Sequence, residues 1–217
     1  MASKQPQPAT RAAPRFYLVT PSVADTAAIA DTLTGLFEQA DVAAVLLRLE
    51  PADDRTLINR VKTLAPAIQG REAALIIDGH PDIVARSGAD GCHLSDLKAL
   101  QAAAPSIKPG RILGAGGLTT RDDAMNAGEI SDYVMFGEPN ADGARPSFAA
   151  IVERVGWWAE VFEIPCVAWA ENIPEVEDLC AAGADFIALG DAVFADPRAG
   201  AAALAEAVRF AIAKAPA

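Results

Sequence analysis

The stretch Ala182–Gly190, AGADFIALG, decides the fold, because its pattern occurs twice more, in Ser87–Leu94 (SGADGCHL) and Glu129–Gly137 (EISDYVMFG). Each stretch follows a helix-length segment and passes through a small residue and an Asp into an apolar run. Gly88 and Gly183 stand where the end of a helix favours a left-handed residue. The three stretches are therefore three copies of one helix-to-strand junction.

Short apolar runs recur along the whole chain, separated by segments of helical length. They are nearly continuous rather than alternating, as is typical of parallel strands buried on both faces. The runs are RFYLVT, VAAVLLRL, AALIID, DGCHL, RILGAG, DYVMFG, PCVAWA and DFIALG. The segments predicted to be helical are Ala24–Ala40, Thr56–Ile68, Pro81–Arg86, Asp96–Ala103, Arg121–Asn126, Phe148–Phe162, Pro174–Ala181 and Ala199–Ala213. Repeated βα units of this number predict the α/β class and a single (β/α)8 TIM barrel, in preference to an open doubly wound sheet.

Composition sets the limits of this domain. The chain has 217 residues, of which 52% are hydrophobic, enough for one large core. We place the barrel at residues 15–217 and interpret residues 1–14 as a disordered tail, since this segment is rich in Pro, Gln and Ala and lacks the apolar stretch of a secretory signal. The three Cys residues are dispersed and odd in number, which favours free thiols and a cytoplasmic location.

Charge and hydropathy exclude two classes of partner. The formal net charge is −11 and no basic stripe is visible, so the sequence predicts no nucleic-acid binding. No apolar run approaches the about 18 residues that a membrane-spanning helix needs, so no membrane partner is expected. A homo-oligomer is left open.

Chemistry-bearing residues gather where the predicted strands end, which is the face that carries active sites in such barrels. They are Thr20, Arg48, Glu50, Asp78, Gly79, His80, His93, Ser95, Asp96, Gly114 to Gly117, Gly137 through Arg145, Trp169, Glu171, Asn172, Gly190 and Asp191. Glycine lets backbone N–H groups approach an anion, and the start of a helix favours negative charge. This set therefore predicts a phosphorylated small molecule as the ligand.

From Arg15 to Ala213 the sequence resembles the thiamine-phosphate synthase / thiazole tautomerase family. The resemblance lies in LIIDGHPDIVARSGADGCHLSD, ILGAGGLTTRDDAMNAGEISDYVMFGEP and IPCVAWAENIPEVEDLCAAGADFIAL, and GADGCHL followed by DYVMFG is its most specific part. Synthases of this family transfer a pyrimidine methyl group from its diphosphate to a thiazole phosphate, and Mg²⁺ helps pyrophosphate to leave. The resemblance thus implies thiamine biosynthesis, Mg²⁺ and phosphorylated substrates.

The resemblance also implies roles for two arginines. Arg48 keeps the Arg of the family's strand-two Gln-x-Arg-x-Lys, although the Gln and the Lys are Leu46 and Glu50 here. Arg145 falls on the pyrophosphate-binding Lys of the strand-six loop. Arg48 and Arg145 are therefore the predicted catalytic residues.

Carboxylates and glycines complete the predicted site. Without gaps, the family's two metal-binding Asp residues fall on Gly79 and Lys98, and the nearby Asp78 and Asp96 are the predicted Mg²⁺ ligands. The predicted substrate and phosphate ligands are His93, Gly114, Gly116, Gly117, Gly137, Asn172 and Gly190. The family's Gly-Gly phosphate loop reads Ala170-Glu171, and a carboxylate there would repel phosphate. An anion is thus expected among Arg48, His93, Gly116 and Arg145 instead.

Structural roles compete with several of these assignments. Asp78 and Asp96 equally suit helix N-caps, His93 suits a hydrogen-bonded core histidine, and Glu50 suits an ion-pair partner for Arg48. Two functions follow. One is a divergent thiamine-phosphate synthase whose catalytic residues are largely degenerate. The other is a non-catalytic or repurposed barrel that binds a phosphorylated small molecule or a protein partner.

Overall fold

The computed structural model, which describes residues 13–140 and 142–214, is a closed barrel of eight parallel strands. Strand order follows the chain, and β8 pairs with β1 to close the barrel. The strands are β1 (Arg15–Val19), β2 (Val42–Leu47), β3 (Ala74–Asp78), β4 (Gly91–Leu94), β5 (Ile112–Ala115), β6 (Tyr133–Phe136), β7 (Cys166–Ala170) and β8 (Phe186–Leu189). The predicted (β/α)8 barrel is confirmed.

Helices follow the strands and cover the barrel. They are α1 (Thr26–Phe37), α2 (Asp54–Gln69), α3 (Pro81–Ser87), α4 (Leu97–Ile107), α5 (Arg121–Gly128), α6 (Phe148–Val161), α7 (Glu175–Ala182), α8 (Asp191–Phe194) and α9 (Pro197–Lys214). Of the helices in the described residues, none is long and apolar enough to cross a membrane. Residues 1–12 of the predicted tail lie outside the described part of the chain.

Two layers of side chains explain why the strands are apolar on both faces. One face packs against the helices in a large core that includes Leu18, Val45 and Leu75. The other face points into the barrel, where Tyr17, Leu46 and other residues form a second cluster. A strand buried on both sides leaves no alternating pattern in the sequence, and this is why the runs read as continuous.

The repeated junction has a physical cause in its Asp residues. The side chain of Asp90 accepts a hydrogen bond from the backbone N–H of Leu75 at 2.7 Å. Asp132 accepts from the N–H of Leu113 at 2.8 Å, and Asp185 from the N–H of Cys166 at 2.9 Å. In each case the Asp precedes one strand and binds the beginning of the strand before it. The Asp side chains thus tie neighbouring strands together where the barrel begins.

Two helices differ from the sequence-based expectation. The fourth helix is predicted over Asp96–Ala103, but α4 continues through Pro105 to Ile107. The buried apolar side chain of Ile107 stabilises the extra turn. The short α8 was not expected, because four residues are too few to show a periodic apolar pattern. Cys92 and Cys180 are free thiols, as predicted.

Candidate functional site

A cavity of about 600 Å³ opens at the carboxyl ends of the strands. Its lining includes Val19, Thr20, Arg48, Asp78, Ser95, Glu138, Pro139, Asn140, Gly143, Trp169, Glu171, Gly190 and Asp191. These residues include four carboxylates and a single guanidinium, that of Arg48. We call this space the strand-end cavity.

Arg48 is bound on two sides by carboxylates. Its Nε donates to Oδ2 of Asp78 at 3.0 Å, and its Nη2 donates to Oε1 of Glu138 at 3.3 Å. The guanidinium also lies 5.5 Å from the ring centre of Trp169, within the range of a cation–π contact. Its ion-pair partners are therefore Asp78 and Glu138 rather than Glu50, the alternative that the sequence had suggested.

Glu138 is the centre of the site, although no local sequence motif marks it. It is the second residue after β6, and its side chain is only 6% exposed. Besides Arg48, it accepts a hydrogen bond from Oγ of Ser95 at 2.9 Å and lies 3.3 Å from Nε2 of His93. Burial alone would raise the pKa of Glu138. The charge of His93, hydrogen bonds from His93 and Ser95, and the charge of Arg48 outweigh burial and lower that pKa to about 2.

A chain of hydrogen bonds continues from Glu138 into the barrel. Nδ1 of His93 lies 3.0 Å from the hydroxyl of Tyr133, which lies 2.6 Å from the hydroxyl of Tyr17. His93 is fully buried, and burial is also the main reason that the pKa of both tyrosines is raised. The structure therefore gives His93 the hydrogen-bonded core position, beneath Glu138. Its predicted contact with a ligand stays a prediction.

Two predicted phosphate-binding glycines make room for this chain. A Cβ atom on Gly114 would lie 2.0 Å from the ring of Tyr133. A Cβ atom on Gly116 would lie 2.3 Å from Oε2 of Glu138 and 2.4 Å from Nε2 of His93. Glycine is thus required at both positions by packing alone, whether or not an anion binds there.

The other predicted arginine lies beside a second cavity, of about 590 Å³, together with Gly117, Gly137 and Arg154. Arg145 makes a bidentate ion pair with Glu175, with N–O distances of 3.1 and 2.5 Å. Its Nη2 also lies 2.9 Å from Oε2 of Glu171. Hydrogen bonding to Glu175 and the charges of both carboxylates raise the pKa of Arg145 despite its burial. Both predicted catalytic arginines are therefore neutralised by side chains of this chain.

The two predicted metal ligands have different surroundings. Asp78 lines the strand-end cavity, whereas Asp96 is the N-cap of α4 and accepts from the N–H of Ala99 at 2.8 Å. Within residues 13–140 and 142–214, no group of three or more His, Cys, Asp and Glu side chains is arranged to hold a metal ion. Asp78 and Glu138 share the guanidinium of Arg48, which would repel Mg²⁺. The side chains present therefore do not fit the implied ion.

The remaining predicted residues lie on the loops that follow β7 and β8, which we call the seventh and eighth loops; the loop after β6 is the sixth. Asn172 accepts a hydrogen bond at 3.2 Å from the N–H of Glu175, the first residue of α7. Gly190 lines the strand-end cavity, and a Cβ there would lie 2.9 Å from the ring of Trp169. Gly190 thus allows Trp169 to fill part of the cavity. Ligand binding by either residue stays a prediction.

A cavity of about 570 Å³ at the opposite end of the barrel does not compete with this site. It is lined in part by Asp90 and Asp132, whose carboxylates accept hydrogen bonds from backbone N–H groups of neighbouring strands. These carboxylates have a structural role at the start of the barrel. Chemistry in such barrels belongs to the other end.

The fold and the polar strand-end cavity define a class: (β/α)8 barrel proteins with a ligand site at the carboxyl ends of the strands. The family model described as "Thiamine monophosphate synthase" matches residues 16–193. The chain belongs to this family, as its sequence motifs predicted.

Two relatives carry the name of this family, and a solved structure shares the fold of the chain. The chain is 39% identical to a thiamine-phosphate synthase of Rhodospirillum centenum over 201 residues, which cover 88% of this chain and 95% of the relative. It is 31% identical to a thiamine-phosphate synthase of Erythrobacter litoralis, covering 76% of this chain and 81% of the relative. A solved thiamine phosphate pyrophosphorylase from Pyrococcus furiosus shares the fold, with a TM-score of 0.76, 20% identity and coverage of 93% of this chain and 97% of its own.

Proposed function

We propose that this chain keeps the barrel and ligand cavity of the thiamine-phosphate synthase family but couples the two substrates of the family reaction slowly or not at all. The observation that carries the proposal is the pairing of Arg48 with Asp78 and Glu138, and of Arg145 with Glu171 and Glu175. Both arginines predicted to be catalytic are already held by carboxylates.

Electrostatics supports this proposal. Pyrophosphate departure builds negative charge, and catalysis requires preorganised donors or cations where that charge develops. Each arginine would have to leave two carboxylates to meet the anion, and those carboxylates would remain nearby and repel it. Removing one such donor typically costs about 10²–10³ in rate. Losing two, together with the metal ligands, should slow the reaction further, although such losses need not add.

Repurposing is the second candidate. The strand-end cavity is still about 600 Å³, the size of a small-molecule site. Such a volume would be retained in a barrel that binds a phosphorylated small molecule without turning it over. The cytoplasmic location and the absence of a nucleic-acid partner remain predictions, and the oligomeric state stays open.

The test is a coupling assay with purified protein, the pyrimidine diphosphate, the thiazole phosphate and Mg²⁺. We expect thiamine phosphate to form far below the usual enzyme range of about 1–10³ s⁻¹. Turnover within that range by the unmodified chain would refute the proposal.

Restoring the family residues extends the test. Gly79→Asp with Glu50→Lys replaces a missing metal ligand and a missing cation, and Glu171→Gly restores one glycine of the phosphate loop. These changes together should raise the coupling rate if the chain descends from a synthase of this family. Gly79 has φ +69°, which Asp tolerates better than most residues but not without cost, so stability is measured alongside. The matched control is Glu153→Gln, a charge change on an exposed side chain of α6.

A further inference from the structure

Glu175 is held by donors of the kind that hold a phosphate group. Its Oε1 and Oε2 accept from both terminal nitrogens of Arg145, at 2.5 and 3.1 Å. Oε2 also accepts from the backbone N–H of Glu171 at 2.9 Å. A bidentate guanidinium together with a backbone N–H is a common arrangement for binding phosphate or carboxylate oxygens.

Both donors come from loops at which the resembled family binds anions, although the carboxylate of Glu171 led us to expect no anion at the second of them. Arg145 lies in the loop between β6 and α6, where the family places a pyrophosphate-binding cation. Glu171 lies directly after β7, at the second position of the family's Gly-Gly phosphate loop. The carboxylate of Glu175 reaches back from the first residue of α7 and joins these two loops.

Burial holds the carboxylate of Glu175 in place between Arg145 and the N–H of Glu171. The side chain of Glu175 is 11% exposed and that of Arg145 is 13% exposed, whereas that of Glu171 is 65% exposed. Glu171 therefore has the freedom to turn towards solvent, but Glu175 is enclosed with its donors. A phosphate oxygen cannot reach Arg145 and the N–H of Glu171 together while Glu175 holds both.

We propose that Glu175 is a specificity-determining residue, which fills the anion subsite between the sixth and seventh loops with its own carboxylate and thereby excludes phosphate. This inference deepens the proposed function and rests on it, because it names the residue that keeps a phosphorylated substrate from this part of the site. Removing the carboxylate should open the subsite to inorganic phosphate.

A purely structural role for Glu175 predicts a different result. If Glu175 only ties the two loops together, its removal destabilises the protein and creates no affinity for anions. If it occupies an anion subsite, its removal leaves Arg145 and the N–H of Glu171 available to a new acceptor. Phosphate affinity therefore separates the two roles where stability alone would not.

The experiment measures binding of inorganic phosphate by isothermal titration calorimetry, at pH 7 and constant ionic strength. Hydrogen bonds to charged groups are strong enough that we expect Glu175→Ala to bind phosphate about 10- to 100-fold more tightly than the unmodified chain. Glu175→Gln should show a smaller gain, since its amide oxygen still competes for Arg145. If the Ala variant does not fold, the Gln variant decides the question.

Two further variants locate the effect. Asp178→Ala removes an exposed carboxylate from the first turn of the same helix and should leave phosphate binding unchanged. Arg145→Ala in the Glu175→Ala background should abolish the gain. Folded Glu175 variants that bind phosphate no more tightly than the unmodified chain would overturn the inference, as would a gain that survives the loss of Arg145.

This outcome is separable from that of the proposed function. Efficient coupling by the unmodified chain would refute the proposed function, whatever the Glu175 variants bind. Failure of the Glu175 variants to gain phosphate affinity would refute only the role of Glu175, and slow coupling would still stand.

Discussion

Replacing Glu138 by Gln removes the charge at the centre of the site while keeping the shape of the side chain. Glu138 is nearly buried and is bound by Arg48, Ser95 and His93. Its pKa falls from the ordinary value of 4.5 to about 2 in the folded chain. At 1.36 kcal/mol per pKa unit, that shift corresponds to a contribution of about 3 kcal/mol to the free energy of unfolding at pH 7.

The sign of the pH dependence follows from the lowered pKa. Glu138 stabilises the folded chain fully above its unfolded pKa, and this contribution is lost as the pH falls towards about 2. The stability difference between the unmodified chain and Glu138→Gln should therefore narrow from about 3 kcal/mol at pH 7 to about 2 kcal/mol at pH 3.5.

Urea denaturation, followed by far-UV circular dichroism at a series of pH values, measures this difference. In thermal unfolding the same loss lowers Tm by about 6–12 °C for a chain of this size. Glu153→Gln is the control, because Glu153 pairs with Arg121 at the surface, where such pairs contribute about 0–1 kcal/mol. Equal stability of Glu138→Gln and the unmodified chain at pH 7, or parallel pH curves, would refute the account of Glu138.

Two further predictions concern the barrel interior and the thiols. Gly116→Ala should lower the free energy of unfolding by about 1–3 kcal/mol in urea titrations, because its Cβ would collide with Glu138 and His93. Gly110→Ala, with open space around its Cβ, should not, and equal effects would count against the packing argument. Burial raises the pKa of Cys92 to about 12 and that of Cys180 to about 11, so both thiols should react with a disulfide reagent at pH 8 far more slowly than in urea-unfolded chain. Reaction in the folded state as fast as in the unfolded state would contradict this.

The fold was readable from the sequence because its evidence is local and repeated. The junctions before β4, β6 and β8 share an Asp, and the strands that follow are buried on both faces. What the sequence did not reveal is the role of that Asp. Each carboxylate binds an N–H of the strand before it in the barrel, a contact between residues 15 to 19 positions apart along the chain.

The site was harder to predict because its decisive contacts are ion pairs between separate loops. Arg48 lines the cavity, but its partner Glu138 lies 90 positions away in the chain. Glu138 stood within the predicted ring of strand-end residues without any local motif to mark it. Its position directly beyond Gly137, at the end of a buried strand, was the available signal.

The sequence indicates the role of Glu175 even less clearly than that of Glu138. It reads as an ordinary acidic residue in the first turn of a helix, where negative charge is favourable. Only the folded chain brings it to Arg145, 30 positions earlier. Sequence patterns report periodicity and local junctions, whereas the charge balance of a cavity depends on which loops the barrel brings together.

The most direct test is a titration of the unmodified chain with pyrophosphate in the presence of Mg²⁺, with binding measured by calorimetry. Arg48 and Arg145 are already neutralised by carboxylates of this chain, Asp78 is paired with Arg48, and Asp96 caps α4. We therefore expect no saturable binding up to about 1 mM, the upper end of ordinary substrate concentrations. Saturable binding with a Kd in the micromolar range would contradict it.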